Sequence, residues 1–94
     1  MTWEDYKENV KAEDEMAKKE IEEAEERAYI VSALIKKRNE LGISQRELAR
    51  MCDMPQSSVA RIESYKTSPN LDTLLKLFQH LNLNLTVTPA PTNR

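Results

Sequence analysis

Ninety-four residues, 39% hydrophobic but only 5% aromatic, suit one small domain plus an appendage, closed around a small aliphatic core. A single cysteine excludes an internal disulfide and any multi-cysteine metal site, and no apolar run approaches the ~20 residues of a membrane span. The net charge of −2 hides a polarity, because residues 1–26 carry eleven acids against four lysines while residues 27–94 carry ten bases against five acids. Such asymmetry suggests two partners of opposite charge, nucleic acid for the basic part and something basic for the acidic part. A solvated acidic helix with no partner is the plainer alternative. With no basic-then-apolar leader pattern either, the composition suits a soluble, intracellular protein of a reducing cytosol.

From residue 1 to 41 there is neither Gly nor Pro, and Ala, Glu, Lys and Arg dominate, which is helix composition. Thr2 followed by Asp5 offers an N-terminal cap. Trp3, Tyr6 and Val10 then fall on one stripe, while residues 11–15 are almost wholly polar and predict a break or hinge. The stripe resumes at Met16 through Ile21, Ala24, Ala28, Val31, Leu34, Ile35 and Leu41. The pattern therefore predicts a short first helix and a long second one whose later part, from about Tyr29, belongs to the main domain. Trp3, Tyr6 and Val10 either mark a docking surface or pack on Met16 and Ile21 as a hairpin, or across a dimer; both readings stand equally open.

Gly42-Ile43 ends that helix in the usual way. Ser44 and Glu47 form a capping box for the next, whose apolar face is Leu48, Ala49 and Cys52. Asp53 occupies a turn position, Pro55 opens a further helix, and Met54, Val59 and Ile62 complete the apolar pattern. Two short helices joined by a tight turn describe a helix-turn-helix. Gln56, Ser57, Ser58 and Arg61 remain outside, and these are types that read base edges and phosphates.

Residues 66–70 (KTSPN) read as a loop, with Ser68 or Asn70 starting a helix buried through Leu71, Leu74, Leu75, Phe78 and Leu81. His80, the only histidine, lacks companions for metal or nucleophilic chemistry, and Cys52 fills an apolar position. Residues 82–88 (NLNLTVT) alternate strictly, so Leu83, Leu85 and Val87 predict a strand. A lone strand needs a partner, and a two-fold-related copy is the simplest supply. The expected architecture is mainly α, a helix-turn-helix bundle with an acidic helical extension (1–27), a domain at 28–82, a dimerisation strand at 83–89 and a loose tail at 90–94.

The stretches LIKKRNELGISQRELA, QSSVARIES and SPNLDTLLKLFQHL, in this order over residues 31–81, resemble the XRE, or Cro/phage-repressor, helix-turn-helix family. Asp53 and Tyr65 stand where that family usually has glycine. The resemblance implies a structural ion pair between Arg38 and Glu63. It also implies DNA contact by Gln45, Arg46, Gln56, Ser57, Ser58, Arg61 and Lys66. Of these, Gln56, Ser57 and Arg61 face the major groove, and the others meet backbone phosphates. A dimer would read two half-sites.

An XRE-like domain with an acidic helical segment, in so short a chain, further resembles HigA-type antitoxins of type II toxin–antitoxin modules. That resemblance implies a basic, HigB-like ribonuclease toxin as partner and repression of the shared operon. Trp3, Tyr6 and Val10 would anchor the toxin, with Glu4, Asp5 and Glu8 around them. The alternative is a phage or host repressor with no toxin partner. A pure protein-interaction module is a further reading. An enzyme fails on inventory: no acid–base pair at a recognisable spacing, no phosphate-cradling Gly loop and no metal cluster are legible, and no cofactor is implied.

Overall fold

The computed structural model describes the backbone of residues 3–90 and the side chains of residues 14–90. Among them lie four helices: α1 (Trp3–Glu40), α2 (Gln45–Met51), α3 (Gln56–Glu63) and α4 (Leu71–His80). The expected break at residues 11–15 is corrected, since α1 runs through them without interruption. Polarity alone does not stop a helix. Lys11, Ala12, Glu13 and Glu15 are good helix formers, and Asp14/Lys18 and Glu15/Lys19 stand at the favourable i, i+4 spacing. No hairpin therefore folds back onto Met16 and Ile21, which are 65% and 59% exposed.

The expected C-terminal strand is corrected as well. No strand occurs among the described residues, and residues 83–90 are irregular. Alternation fixes which side chains share a face, but a strand exists only when a neighbour takes up its backbone N–H and C=O groups. One chain offers residues 83–89 no such neighbour. Leu83 is half-buried, whereas Leu85 and Val87 are exposed.

Residues 1–30 and 31–94 form two units. In the first, the described side chains are nearly all exposed on a helix rich in Glu. The second holds the core: Val31, Leu34, Leu48, Ala49, Cys52, Val59, Ile62, Leu77, Phe78 and Leu81 are all buried. The burial on α4 follows Leu77, Phe78 and Leu81 with Leu74 half-covered, rather than the expected row through Leu71 and Leu75. Leu71 is 60% exposed and Leu75 44%.

All four helices stop in the same way. At the end of α1, Ile43 N–H reaches the Arg38 carbonyl and Gly42 N–H the Asn39 carbonyl, with Gly42 at φ 69°. This paired arrangement is a Schellman motif, in which one left-handed residue turns the chain back on the last helical carbonyls. It recurs with Met54 and Asp53 bonding Ala49 and Arg50, and with Lys66 and Tyr65 bonding Arg61 and Ile62. Leu83 and Asn82 repeat it on Phe78 and Gln79. The left-handed residue is thus Gly once, then Asp53 (φ 55°), Tyr65 (φ 63°) and Asn82 (φ 57°). Two helix starts are capped by side chains: Ser44 Oγ accepts from Glu47 N–H at 3.0 Å, and Asn70 Oδ1 from Thr73 N–H at 2.8 Å.

Candidate nucleic-acid interface

The second helix of the motif, α3, divides cleanly by burial. Val59, Ile62 and Glu63 are buried toward the other helices, while Gln56, Ser57 and Arg61 are exposed. Successive residues step about 100° around a helix, so Ser57 and Arg61 lie about 40° apart on the outward face, while Gln56, in the first turn of α3, flanks it. Ser64, just past the helix, continues that face; it is exposed, and its hydroxyl donates to the Arg61 carbonyl at 3.1 Å. Sequence reasoning missed Ser64, which differs from other surface serines only by its offset from Gln56 and Ser57.

A glutamate at the end of α3 holds this face in place. Glu63 Oε2 accepts from Arg38 Nε at 2.7 Å, and Oε1 from Arg38 Nη2 at 2.8 Å. Arg38 Nη1 donates in turn to the Ile43 carbonyl at 2.9 Å, in the α1–α2 connection. Such a two-pronged guanidinium–carboxylate contact fixes orientation as well as distance. Gln45 joins the same carboxylate, its Nε2 donating to Glu63 Oε1 at 3.0 Å. The spacing of residues gave no hint of that third donor.

Arg46 and Lys66 are exposed, and Ser58 is half-buried. Arg50, on the same helix as Arg46, is exposed too, so α2 adds two arginines beside α3. Arg61 and Ser58 line a cleft of about 290 Å³ whose far wall carries Thr67, Ser68, Asn70 and Thr73. The loop composition announced a turn there, without revealing that its hydroxyls gather beside Arg61. A separate, larger hollow of about 490 Å³ is lined by Leu75, Phe78, Leu83 and Leu85, among others.

Cys52 is buried, with Sγ 3.5 Å from His80 Nδ1 and 3.9 Å from the Lys76 carbonyl. Burial pushes its thiol pKa above the ordinary value, and Lys76 pulls it partly back. His80 Nδ1 lies 2.8 Å from the Lys76 carbonyl, which can only accept, so this nitrogen carries the hydrogen. No group of three or more His, Cys, Asp or Glu is placed to hold a metal ion among the described residues. No helix among them is long and apolar enough to cross a membrane. The side chains of Trp3, Glu4, Asp5, Tyr6, Glu8 and Val10 lie outside the described residues.

Comparison with known proteins agrees with this geometry. Residues 34–87 match the model of a family described as helix-turn-helix. An uncharacterized HTH-type transcriptional regulator of Haemophilus influenzae is 41% identical over 70 residues, covering 74% of this chain and 71% of that protein. A solved chain of a toxin–antitoxin module from Streptococcus pneumoniae superposes with a TM-score of 0.66 at 41% identity, over 97% of this chain and 94% of that one. With its family match spanning more than half its length, the chain belongs to the helix-turn-helix family of transcriptional regulators.

Proposed function

We propose that this chain is an antitoxin that binds and neutralises a cognate basic ribonuclease toxin of the HigB-like kind, and that represses its own operon through sequence-specific DNA binding. The observation that carries the reading is the extent of the likeness to the Streptococcus pneumoniae chain. It spans 97% of this chain and so takes in the acidic helical unit as well as the helix-turn-helix. A likeness restricted to the second unit would support only a DNA-binding regulator.

In this reading Gln56, Ser57 and Arg61 enter the major groove. Gln56 pairs with adenine and Arg61 with guanine, the pairings their donor patterns favour. Arg46, Ser58 and Lys66 meet backbone phosphates and set the register. Two copies bind half-sites about 34 Å apart, one helical turn. Their contact uses the apolar surface where Leu83 and Leu85 border the hollow beside α4, with Val87 farther along. On the acidic unit, Trp3, Tyr6 and Val10 anchor the toxin and Glu4, Asp5 and Glu8 steer it. A cationic RNA-binding enzyme is attracted by that charge while DNA is repelled by it.

The experiment is an RNA-cleavage assay with the small basic protein encoded beside this one, run with the full chain and with residues 1–26 removed. Full inhibition that is lost on truncation is the expected result. Inhibition that survives truncation, or none with the full chain, overturns the antitoxin reading. A plain transcriptional regulator is the second reading, favoured by the name of the Haemophilus influenzae relative. It predicts operator binding with no effect on any neighbouring ribonuclease.

A further inference from the structure

Gln45 opens α2 at a point where a side chain could meet a DNA phosphate, yet its amide is already engaged. Its Nε2 donates to Glu63 Oε1 at 3.0 Å, the same oxygen that Arg38 Nη2 holds at 2.8 Å. Gln45 is half-buried, and Glu63 is only 9% exposed. We infer that Gln45 is a positioning residue: it fixes the angle of α3 against α2 through the Glu63 carboxylate, and so contributes to sequence discrimination rather than to phosphate attraction.

The geometry supplies the reason. Arg38 fixes the carboxylate from α1 and, through Nη1, ties down the connection at Ile43. That pair orients the carboxylate against α1, and neither of its bonds comes from α2. Gln45 provides a hold from α2 itself. The two helices of the motif are then linked at one end by this bond, and at the other by the turn through Asp53. A charged acceptor makes the amide bond stronger than a neutral one, and its partial burial spares it competition from water. A small rotation of α3 would carry Gln56 and Arg61 out of line with base edges while leaving the surrounding positive charge in place. The consequence falls on specific binding alone.

This inference rests on the DNA-binding part of the proposed function, and the test separates the two. A duplex is selected from a random-sequence library with the wild-type chain, and a scrambled duplex of equal length and composition serves as the non-specific probe. Affinities of wild type, Gln45→Met, Glu63→Gln and the double variant are measured on both, with thermal melting to check folding. Methionine keeps the bulk of glutamine and removes its donor. Gln45→Met is expected to weaken binding to the selected duplex by about tenfold, the scale of one charge-assisted hydrogen bond. Its binding to the scrambled duplex should stay within about twofold, since positioning does not alter the non-specific phosphate attraction. In the Glu63→Gln background the same change should cost less, because the acceptor has lost its charge and the bond it makes with Gln45 is weaker.

Equal weakening on both duplexes would make Gln45 a phosphate ligand and overturn the inference. So would no change on either, or undiminished loss in the Glu63→Gln background. If Glu63→Gln fails to fold, the comparison of the two duplexes with Gln45→Met alone still decides. Failure of wild type to select any sequence would instead remove the DNA-binding reading itself.

Discussion

Arg38 and Glu63 stand 25 residues apart and are joined by two side-by-side hydrogen bonds, at 2.7 and 2.8 Å, with their side chains only 12% and 6% exposed. Taking one partner away strands the other among atoms that cannot replace water. Glu63→Ala removes the acceptor for Arg38 and for Gln45 together, and should cost about 2–4 kcal/mol. A combined Arg38→Met and Glu63→Leu change leaves no orphaned charge and should recover most of that loss, since apolar replacements of buried pairs are often tolerated. Urea unfolding of the three proteins checks this; equal destabilisation by single and double variants would show that the bridge does not act as a pair.

Much of this bundle was legible because its signals are local. Leu48, Ala49 and Cys52 share one face of α2 and its cap, Val59 and Ile62 one face of α3, and all five are buried. The misreadings share a physical origin. The polar run at residues 11–15 does not break α1, because polarity reports exposure and only Gly, Pro or a competing cap reports an end. The alternation at residues 82–88 is real, but pairing belongs to a partner and not to the strand. On α4 two overlapping leucine rows competed, and the sequence alone could not show which one the other helices cover. Leu77 won over Leu71 and Leu75. Gln45 was legible as a polar helix start, yet its bond to Glu63 depends on three helices meeting and leaves no trace in spacing.

The four helix ends offer a contrast between residue types in one backbone conformation. Gly42 has φ 69°, and a Cβ added there would meet nothing within 4 Å. Gly42→Ala should therefore cost about 1–2 kcal/mol through the left-handed backbone alone. Asp53, at φ 55°, already bears that penalty. Asp53→Gly should stabilise by up to about 1 kcal/mol, the relief being offset by the extra freedom of glycine in the unfolded chain. Tyr65→Gly should gain less, because it also discards the covered part of a ring that is 55% exposed. Thermal and urea unfolding measure all three. Opposite signs for Gly42→Ala and Asp53→Gly are required.

Burial of Cys52 has a consequence at alkaline pH. Its pKa is raised in the folded chain by desolvation, with Lys76 lowering it by a smaller amount. The folded state therefore keeps the thiol proton after the unfolded chain has released it. That contribution is intact below the ordinary thiol pKa of about 8.5 and is lost as pH climbs above it. Cys52→Ala removes the titrating group, so its stability should fall less steeply than wild type between about pH 8 and pH 10. Unfolding curves across this range decide the matter. A thiol reagent should also label the native protein slowly at neutral pH and quickly in denaturant.

The outward face of α3 can be emptied without disturbing what lies beneath it. Gln56 and Arg61 are exposed, whereas Val59 and Ile62 are buried in the core. Gln56→Ala with Arg61→Ala should change unfolding stability by less than about 1 kcal/mol, as surface substitutions do. Each lost base contact is worth about 1–3 kcal/mol of discrimination, so losing both should weaken specific binding by at least about thirtyfold. Residual binding should be the salt-sensitive, sequence-indifferent kind carried by Arg46, Arg50 and Lys66. Gel-shift titration on a selected and a scrambled duplex, at two salt concentrations, reads both terms. If the double variant kept its preference for the selected duplex, this face would not be the one that reads sequence, even with the fold unchanged.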